Sequence, residues 1–308
     1  MAVFKKFQCT DGNAPVLSGT RGALISLLRA CLIDGYGDVA PVQGWTLEFI
    51  NATEDIAVFR NDPVDGTGAF LRIDEATPDA KSYIAKGYEI MTDIDNGSGL
   101  FYEAGASTYQ NKSNFSNADS RQWHLFANNK MLHLFILPAA GIDVIPNMSL
   151  STDFRIYSFG DFASYRAEPF PAFSCTSYPY SAYTYGLLPT NYNYSNAQTP
   201  RNYSLEANTP QLIYSVIAGP INLKWHELQK NAVPYNGNLL LCPVWFFDAS
   251  PTYEKLRGRV EGVYIPCHHP ESLSWQQVIQ DGQKSYMLFP FSFRTTYNQI
   301  NFAFEFEE

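Results

Sequence analysis

The side chains with atoms suited to catalysis or metal binding are few in this chain and do not cluster. Its five histidines stand at positions 124, 133, 226, 268 and 269. His268-His269-Pro270-Glu271 carries zinc-type donors, but adjacent residues of an extended segment point to opposite faces and do not readily share one ion. His124 and His133 fall on the two arms of a predicted hairpin and could face one another; a structural, hydrogen-bonding part is expected of all five. The nearest approach to a metal site is calcium-like. Thr92-Asp93-Ile94-Asp95-Asn96-Gly97-Ser98-Gly99 sets Asp93 and Asp95 two residues apart, ahead of glycines that let a loop curl around an ion. An EF-hand would need its glycine one residue later and a glutamate well downstream, and neither is present. The alternative for Asp93 and Asp95 is a solvated turn capped by their carboxylates.

Nucleophilic and phosphate chemistry find no frame. There is no G-x-S-x-G elbow, and no Cys or Ser lies in a His-bearing signature. Gly19-Thr-Arg-Gly22 opens a helix but lacks the G-x-x-x-x-G-K-[ST] spacing that cradles phosphate. Paired carboxylates for glycoside hydrolysis meet in space rather than in sequence, and nothing favours a particular pair. The expectation is a protein that is not an enzyme, with no catalytic residue and no cofactor.

Aromatic side chains are the chemistry this chain has in quantity: 22 Phe, 20 Tyr and 5 Trp. Many of the tyrosines, among them Tyr178, Tyr180, Tyr183, Tyr185, Tyr192 and Tyr194, crowd a Pro-punctuated segment over 165–212. Tyrosine faces stack on sugar rings and equally favour protein contacts. The segment is too long for an ordinary connection. It is either a domain junction or an extended arm. As an arm, its core, 176–204, is ordered by lying on a neighbouring subunit; the alternative is that its tyrosines roof their own domain's core. The terminal run Ile300-Asn-Phe-Ala-Phe-Glu-Phe306 alternates strictly, with Ile300, Phe302, Phe304 and Phe306 on one face. That face must be covered by its own domain or another chain, and Phe302, Phe304 and Phe306 join the six tyrosines as expected interface residues.

The elements that position these residues are mostly strands. Ile56–Arg60 and Ala69–Ile73 flank a turn-rich link. Arg121–Phe126 and Met131–Ile136 flank Asn128-Asn129, whose tolerance of positive φ suits a type I′ tip. Tyr235-Asn236-Gly237-Asn238 offers a second tip, and Pro243 beyond it predicts a bulge or an edge position. One amphipathic helix is predicted over 20–34. It buries Leu24, Leu27, Leu28, Cys31 and Leu32, keeps Arg21 and Arg29 wet, is capped by Ser18 or Thr20, and ends at a left-handed Gly35.

The predicted fold class is mainly β (α+β). It has antiparallel, sandwich-like sheets and the helix packed on one of them. A division near residue 150 separates an N-terminal β domain, 1–150, from a C-terminal β region, 151–308, that includes the arm.

Charge and cysteine usage bound the partners. With 21 Lys plus Arg against 30 Asp plus Glu, the net charge of −9 argues against nucleic acid. Five cysteines, at 9, 31, 175, 242 and 267, are odd in number and lack C-x-x-C spacing, which fits free thiols in a reducing compartment. The opening Met-Ala-Val-Phe-Lys-Lys-Phe lacks the apolar core of a secretory signal. The longest apolar run, Leu132 to Ile145, is broken by His133, Pro138 and Asp143, so no membrane span is expected.

Several segments together resemble a family of virion structural proteins of tailed bacteriophages. Ala14-Pro-Val-Leu-Ser-Gly-Thr-Arg-Gly-Ala-Leu-Ile-Ser-Leu-Leu-Arg-Ala-Cys-Leu-Ile-Asp-Gly-Tyr-Gly37 is similar to that family's opening run, and Gly44-Trp45 and Ala57-Val-Phe-Arg60 follow it as they do there. Gly66-Thr-Gly-Ala-Phe-Leu-Arg-Ile-Asp74, Gly87-Tyr-Glu-Ile-Met-Thr-Asp-Ile-Asp95, Gly160-Asp161 with Ser164-Tyr165, and Leu256-Arg-Gly-Arg-Val-Glu-Gly-Val-Tyr-Ile-Pro-Cys-His268 continue the likeness. The stretch 176–204 matches no pattern of the family. The resemblance implies a structural subunit assembled in the host cytoplasm into the virion. It would sit in the tail or baseplate, or on the collar or capsid surface, contacting other virion proteins and forming a homo-oligomer set by particle symmetry. A host-surface glycan-binding module working through the Tyr segment is the rival expectation, and a virion glycan hydrolase a third.

Overall fold

A computed structural model describes residues 3–104, 109–139, 141–142, 154–177, 198–201, 207–217, 241–248, 255–266, 273–292 and 299–307. The elements are β1 (Lys5–Gln8), α1 (Ala23–Arg29), β2 (Thr46–Ile50), β3 (Ile56–Arg60), β4 (Phe70–Asp74), β5 (Ser82–Met91), β6 (Gly97–Ala104), β7 (Gln110–Asn111), β8 (Gln122–Ala127) and β9 (Met131–Leu137). They continue with β10 (Arg155–Asp161), β11 (Ala163–Ser164), β12 (Ala172–Ser177), β13 (Gln198–Arg201), β14 (Ala207–Ile217), β15 (Leu241–Asp248), β16 (Lys255–Pro266), β17 (Val278–Asp281), β18 (Lys284–Ser292) and β19 (Gln299–Phe306). Strand takes 51% and helix 6%, so the protein is mainly β, as the turn-rich, aromatic sequence predicts.

The strands pair antiparallel. A six-stranded sheet has the order β2-β3-β4-β5-β6, with β7 on β5. A thirteen-stranded sheet runs β1-β8-β9-β10-β12-β13-β14-β15-β16-β19-β18-β17, with β11 on β16. It does not close into a barrel. β9 pairs directly with β10, so hydrogen bonding is continuous across residue 150. Pro243 sits where the β15–β16 register shifts, the bulge its missing N–H requires.

The middle of the molecule is the β8–β9 hairpin, in which every residue of both strands is buried. Alternation divides its side chains between two cores. Trp123, Leu125, Leu132, Leu134 and Ile136 pack with the helix and the six-stranded sheet. Phe126, Met131 and Phe135 face the returning half of the large sheet, including Val260, Met287 and Phe289. The architecture is therefore β-sandwich-like.

Phe302, Phe304 and Phe306 belong to this second core, at 0%, 0% and 1% exposed. Phe304 stacks on Phe126 at 4.8 Å and 8°, and Phe302 meets Phe154 edge-on. The expected interface on β19 is thus internal: the large sheet curls until its C-terminal half covers this face. The six tyrosines from Tyr178 to Tyr194 lie outside the described residues, as does the Tyr235–Asn238 tip.

The helix runs over Ala23–Arg29 and continues as a π-turn over Ala30–Asp34. Leu24, Leu27, Leu28, Cys31 and Leu32 are buried as predicted, together with Ile25. Arg21 is exposed and Arg29 half-exposed, bonded to Asp34 at 2.7 Å. Gly35 ends the turn at φ 80° and ψ 174°, positive in φ but outside the αL well.

The cap differs from expectation. Ser18 and Thr20 bond to each other at 2.7 Å, and Gly22 holds the N-cap position with no side-chain bond. The carboxylate of Glu75, which follows β4, accepts from the N–H of Leu24 at 3.5 Å and of Ile25 at 3.0 Å. Its partner is the Lys112 ammonium, and both side chains are 0% exposed. Lys112 also donates to the Ala80 carbonyl at 2.7 Å. Burial pushes the Glu75 carboxyl up and the Lys112 ammonium down.

The hairpin tip also differs. Neither Asn128 nor Asn129 has positive φ, so the turn is not type I′. Instead Asn128 Oδ1 accepts the N–H groups of Lys130 and Met131, both at 2.8 Å, and closes a longer tip.

Lys112→Ala leaves Glu75 buried against the helix start with its counter-charge gone. Urea unfolding should show a loss of about 3–5 kcal/mol, as for other broken buried pairs.

Candidate functional site

Residues far apart in sequence meet at the β8–β9 tip. The Trp45 indole N–H donates to the Asn128 carbonyl at 2.7 Å. Asn61 Nδ2 donates to the Lys130 carbonyl and to Asp161 Oδ1, both at 3.0 Å. Thr67 gives its N–H to Asp161 Oδ2 at 2.8 Å and its hydroxyl to Oδ1 at 2.6 Å. Asn129 Nδ2 reaches Asp62 Oδ2 at 2.9 Å. The β3–β4 loop of the small sheet is thereby tied to β9 and β10 of the large one. Burial raises the Asp161 carboxyl, and the donors from Thr67 and Asn61 oppose that shift. With three donors on its two oxygens, Asp161 is placed to hold this joint. Gly160 fits because it has no side chain: a Cβ would stand 2.1 Å from the Lys130 carbonyl oxygen, at φ 134°. Gly160→Ala should lower stability by more than about 1 kcal/mol, measured by thermal or urea unfolding.

His124 and His133 lie on the same face but do not pair. His133 Nε2–H donates to the Glu261 carbonyl at 2.7 Å, and its Nδ1 accepts from Ser158 Oγ at 2.9 Å. His124 Nε2 accepts from Gln276 Nε2 at 2.9 Å, and its ring meets Phe289 edge-on at 5.0 Å. Burial, chiefly, lowers His124 to about 3 and His133 to about 4. Both are neutral core residues whose unfolded forms protonate first. Above pH ~6.5 neither affects stability; below it, each costs about 1.4 kcal/mol per pH unit until the folded pKa is reached. Raised Glu75 and Asp161 act with the opposite sign. The His133→Gln variant should therefore show a shallower loss of stability between pH 6.5 and 4 than the parent, in urea titrations at several pH values.

The acidic loop is occupied by its own partners. Asp93 Oδ1 accepts from the N–H groups of Asp95 and Asn96, both at 2.8 Å, and the Asn96 amide adds a further bond. Asp95 pairs with Arg72 at 3.1 Å. Asp93 and Asp95 thus serve different donors. Among the described residues no group of three or more His, Cys, Asp or Glu side chains converges. His226, His268, His269 and Glu271 fall outside them. Cys31 is buried with its thiol free, and burial pushes that thiol up.

The outer face of β16 holds a shallow, polar depression. Phe4, Arg259, Glu261, Gly262, Tyr264, Lys284 and Glu305 line it. Tyr264 donates its hydroxyl to Glu305 Oε2 at 2.8 Å, and Lys284 reaches Oε1 at 2.6 Å. Burial and the Glu305 carboxylate both raise the Tyr264 phenol. Beside the depression, Trp245 sits opposite Arg259 in the β15–β16 register. Its ring lies 5.6 Å from Tyr165, tilted by 40°, and Tyr165 is 52% exposed.

A buried base holds this corner. Arg257, 0% exposed, grips Glu168, donates to the Arg201 carbonyl at 2.8 Å and covers the Phe162 ring at 5.4 Å. Its own carbonyl accepts the Tyr165 N–H at 2.8 Å. Sequence reasoning missed the pair, although buried Val244 beside Trp245 is an alternation that places the indole outside.

Comparison with protein-family patterns and with curated proteins finds no match to this chain.

Proposed function

We propose that the chain is a structural subunit of a tailed-phage particle, most simply of the tail or baseplate, repeated by the particle's rotational symmetry. The observation that carries this reading is the joint at the β8–β9 tip. Gly44-Trp45, Gly66-Thr67 and Gly160-Asp161, which bear the resemblance to phage virion proteins, work here as scaffold. Trp45, Thr67 and Asp161 bond across the two sheets, and Gly160 leaves room for the chain to approach. Such residues define a shape to be assembled. The buried charges point the same way, since Glu75, Lys112, Arg257 and Glu168 pair with one another. The free, buried Cys31 thiol suits assembly in a reducing cytoplasm.

Particles purified to homogeneity from the source phage test the proposal. Mass spectrometry should find the chain in stoichiometric amount, and immunogold labelling with antibody to the recombinant protein should decorate the tail end. Absence of the chain from purified particles would overturn it.

A further inference from the structure

We propose that the outer face around Tyr165, Trp245 and Arg259 is a binding site for an oligosaccharide. The proposal stands apart from any place in a phage particle, because the soluble chain alone tests it.

A sugar ring needs a flat apolar surface for its C–H face and directional polar groups for its hydroxyls. Tyr165 supplies the first: it is 52% exposed, and Trp245 stands 5.6 Å away at a 40° tilt. Short, bonded strands hold these rings. β11 pairs with β16 through Ala163↔Arg259 and Ser164↔Gly258, and the Tyr165 N–H bonds to Arg257. Arg257 and Glu168 are fully buried and bonded, so the platform needs little ordering when a ligand arrives.

The second requirement is met along the same strand. Arg259, opposite Trp245, also lines the depression with Glu261 and with Glu305, which Tyr264 and Lys284 hold in place. Two residues of strand separate Arg259 from Glu261, about 6.6 Å. The aromatic platform and the polar depression therefore suit successive units of a chain better than a single sugar. A protein partner would be expected to meet a wider apolar patch. Among the described residues of β16 the exposed apolar side chain is Leu256, at 42%, and the charged Arg259, Glu261, Lys284 and Glu305 line the depression.

A glycan array of bacterial surface oligosaccharides, probed with the full chain, should give selective binding. Titration calorimetry with the best-bound oligosaccharide should then show affinity falling about tenfold or more in Tyr165→Ala, and staying within about threefold of the parent in Tyr165→Phe, because the ring face is kept. Arg259→Ala should also weaken binding. Tyr165 is exposed, so its removal should leave the melting temperature unchanged. No binding on the array, or binding that Tyr165→Ala leaves intact, overturns the proposal.

Discussion

A hairpin with no solvent-facing side governs this molecule. β8 and β9 are buried along their whole length, between the helix and small sheet on one face and the curled half of the large sheet on the other. An unpaired buried group costs about 1–3 kcal/mol, so most polar groups there find partners within, His124 Nδ1 and Asn128 Nδ2 excepted. This explains why His133 spans Ser158 and the Glu261 carbonyl, and why the turn at Asn128 is closed by its own side chain. The aromatic richness has the same origin. Stacks such as Phe126 on Phe304 and Phe135 on Phe289, at 4.8 and 4.5 Å, fill the space between two curved layers.

Around that hairpin, buried ion pairs fix how elements distant in sequence meet. Glu75 and Lys112 anchor the start of the helix, while Arg257 and Glu168 anchor the strands behind Tyr165. Arg201 on β13 pairs with Glu89 on β5 and so links the two sheets. Such pairs contribute little net stability relative to apolar packing, because desolvation offsets attraction. Their geometric demand is strict, however: each lone charge excludes arrangements that would leave it unpaired. In a chain with only 17% charged residues, the few that are buried specify the fold more than they hold it up.

The interior and the outer face of β16 thus divide the work. Inside, the buried carboxylates and cations Glu75, Lys112, Arg257 and Glu168 are held by fixed partners. Outside, Tyr165 and the depression beside Arg259 offer aromatic surface and mixed charge at a position the buried base makes rigid.

The sequence by itself determined the local patterns. The amphipathic helix, the β3–β4 and β8–β9 hairpins, the bulge at Pro243 and the strict alternation of the last strand are all set by near-neighbour spacing. Long-range pairing was not legible there. Glu75 lies 50 residues from the Ile25 N–H it caps, so local capping rules pointed to Ser18 and Thr20. The apolar face of Phe302, Phe304 and Phe306 required a cover, but periodicity does not say whose. Only the curl of the large sheet turned that face inward. Asp93 and Asp95 carried the atoms of a calcium loop, and tertiary contact gave one of them to Arg72. Tyr165 and Trp245, 80 positions apart, became neighbours only when β11 and β15 both paired with β16. Spacing along a chain fixes which face a residue occupies; which residue stands opposite depends on sheet order and curvature, which arise from the whole core.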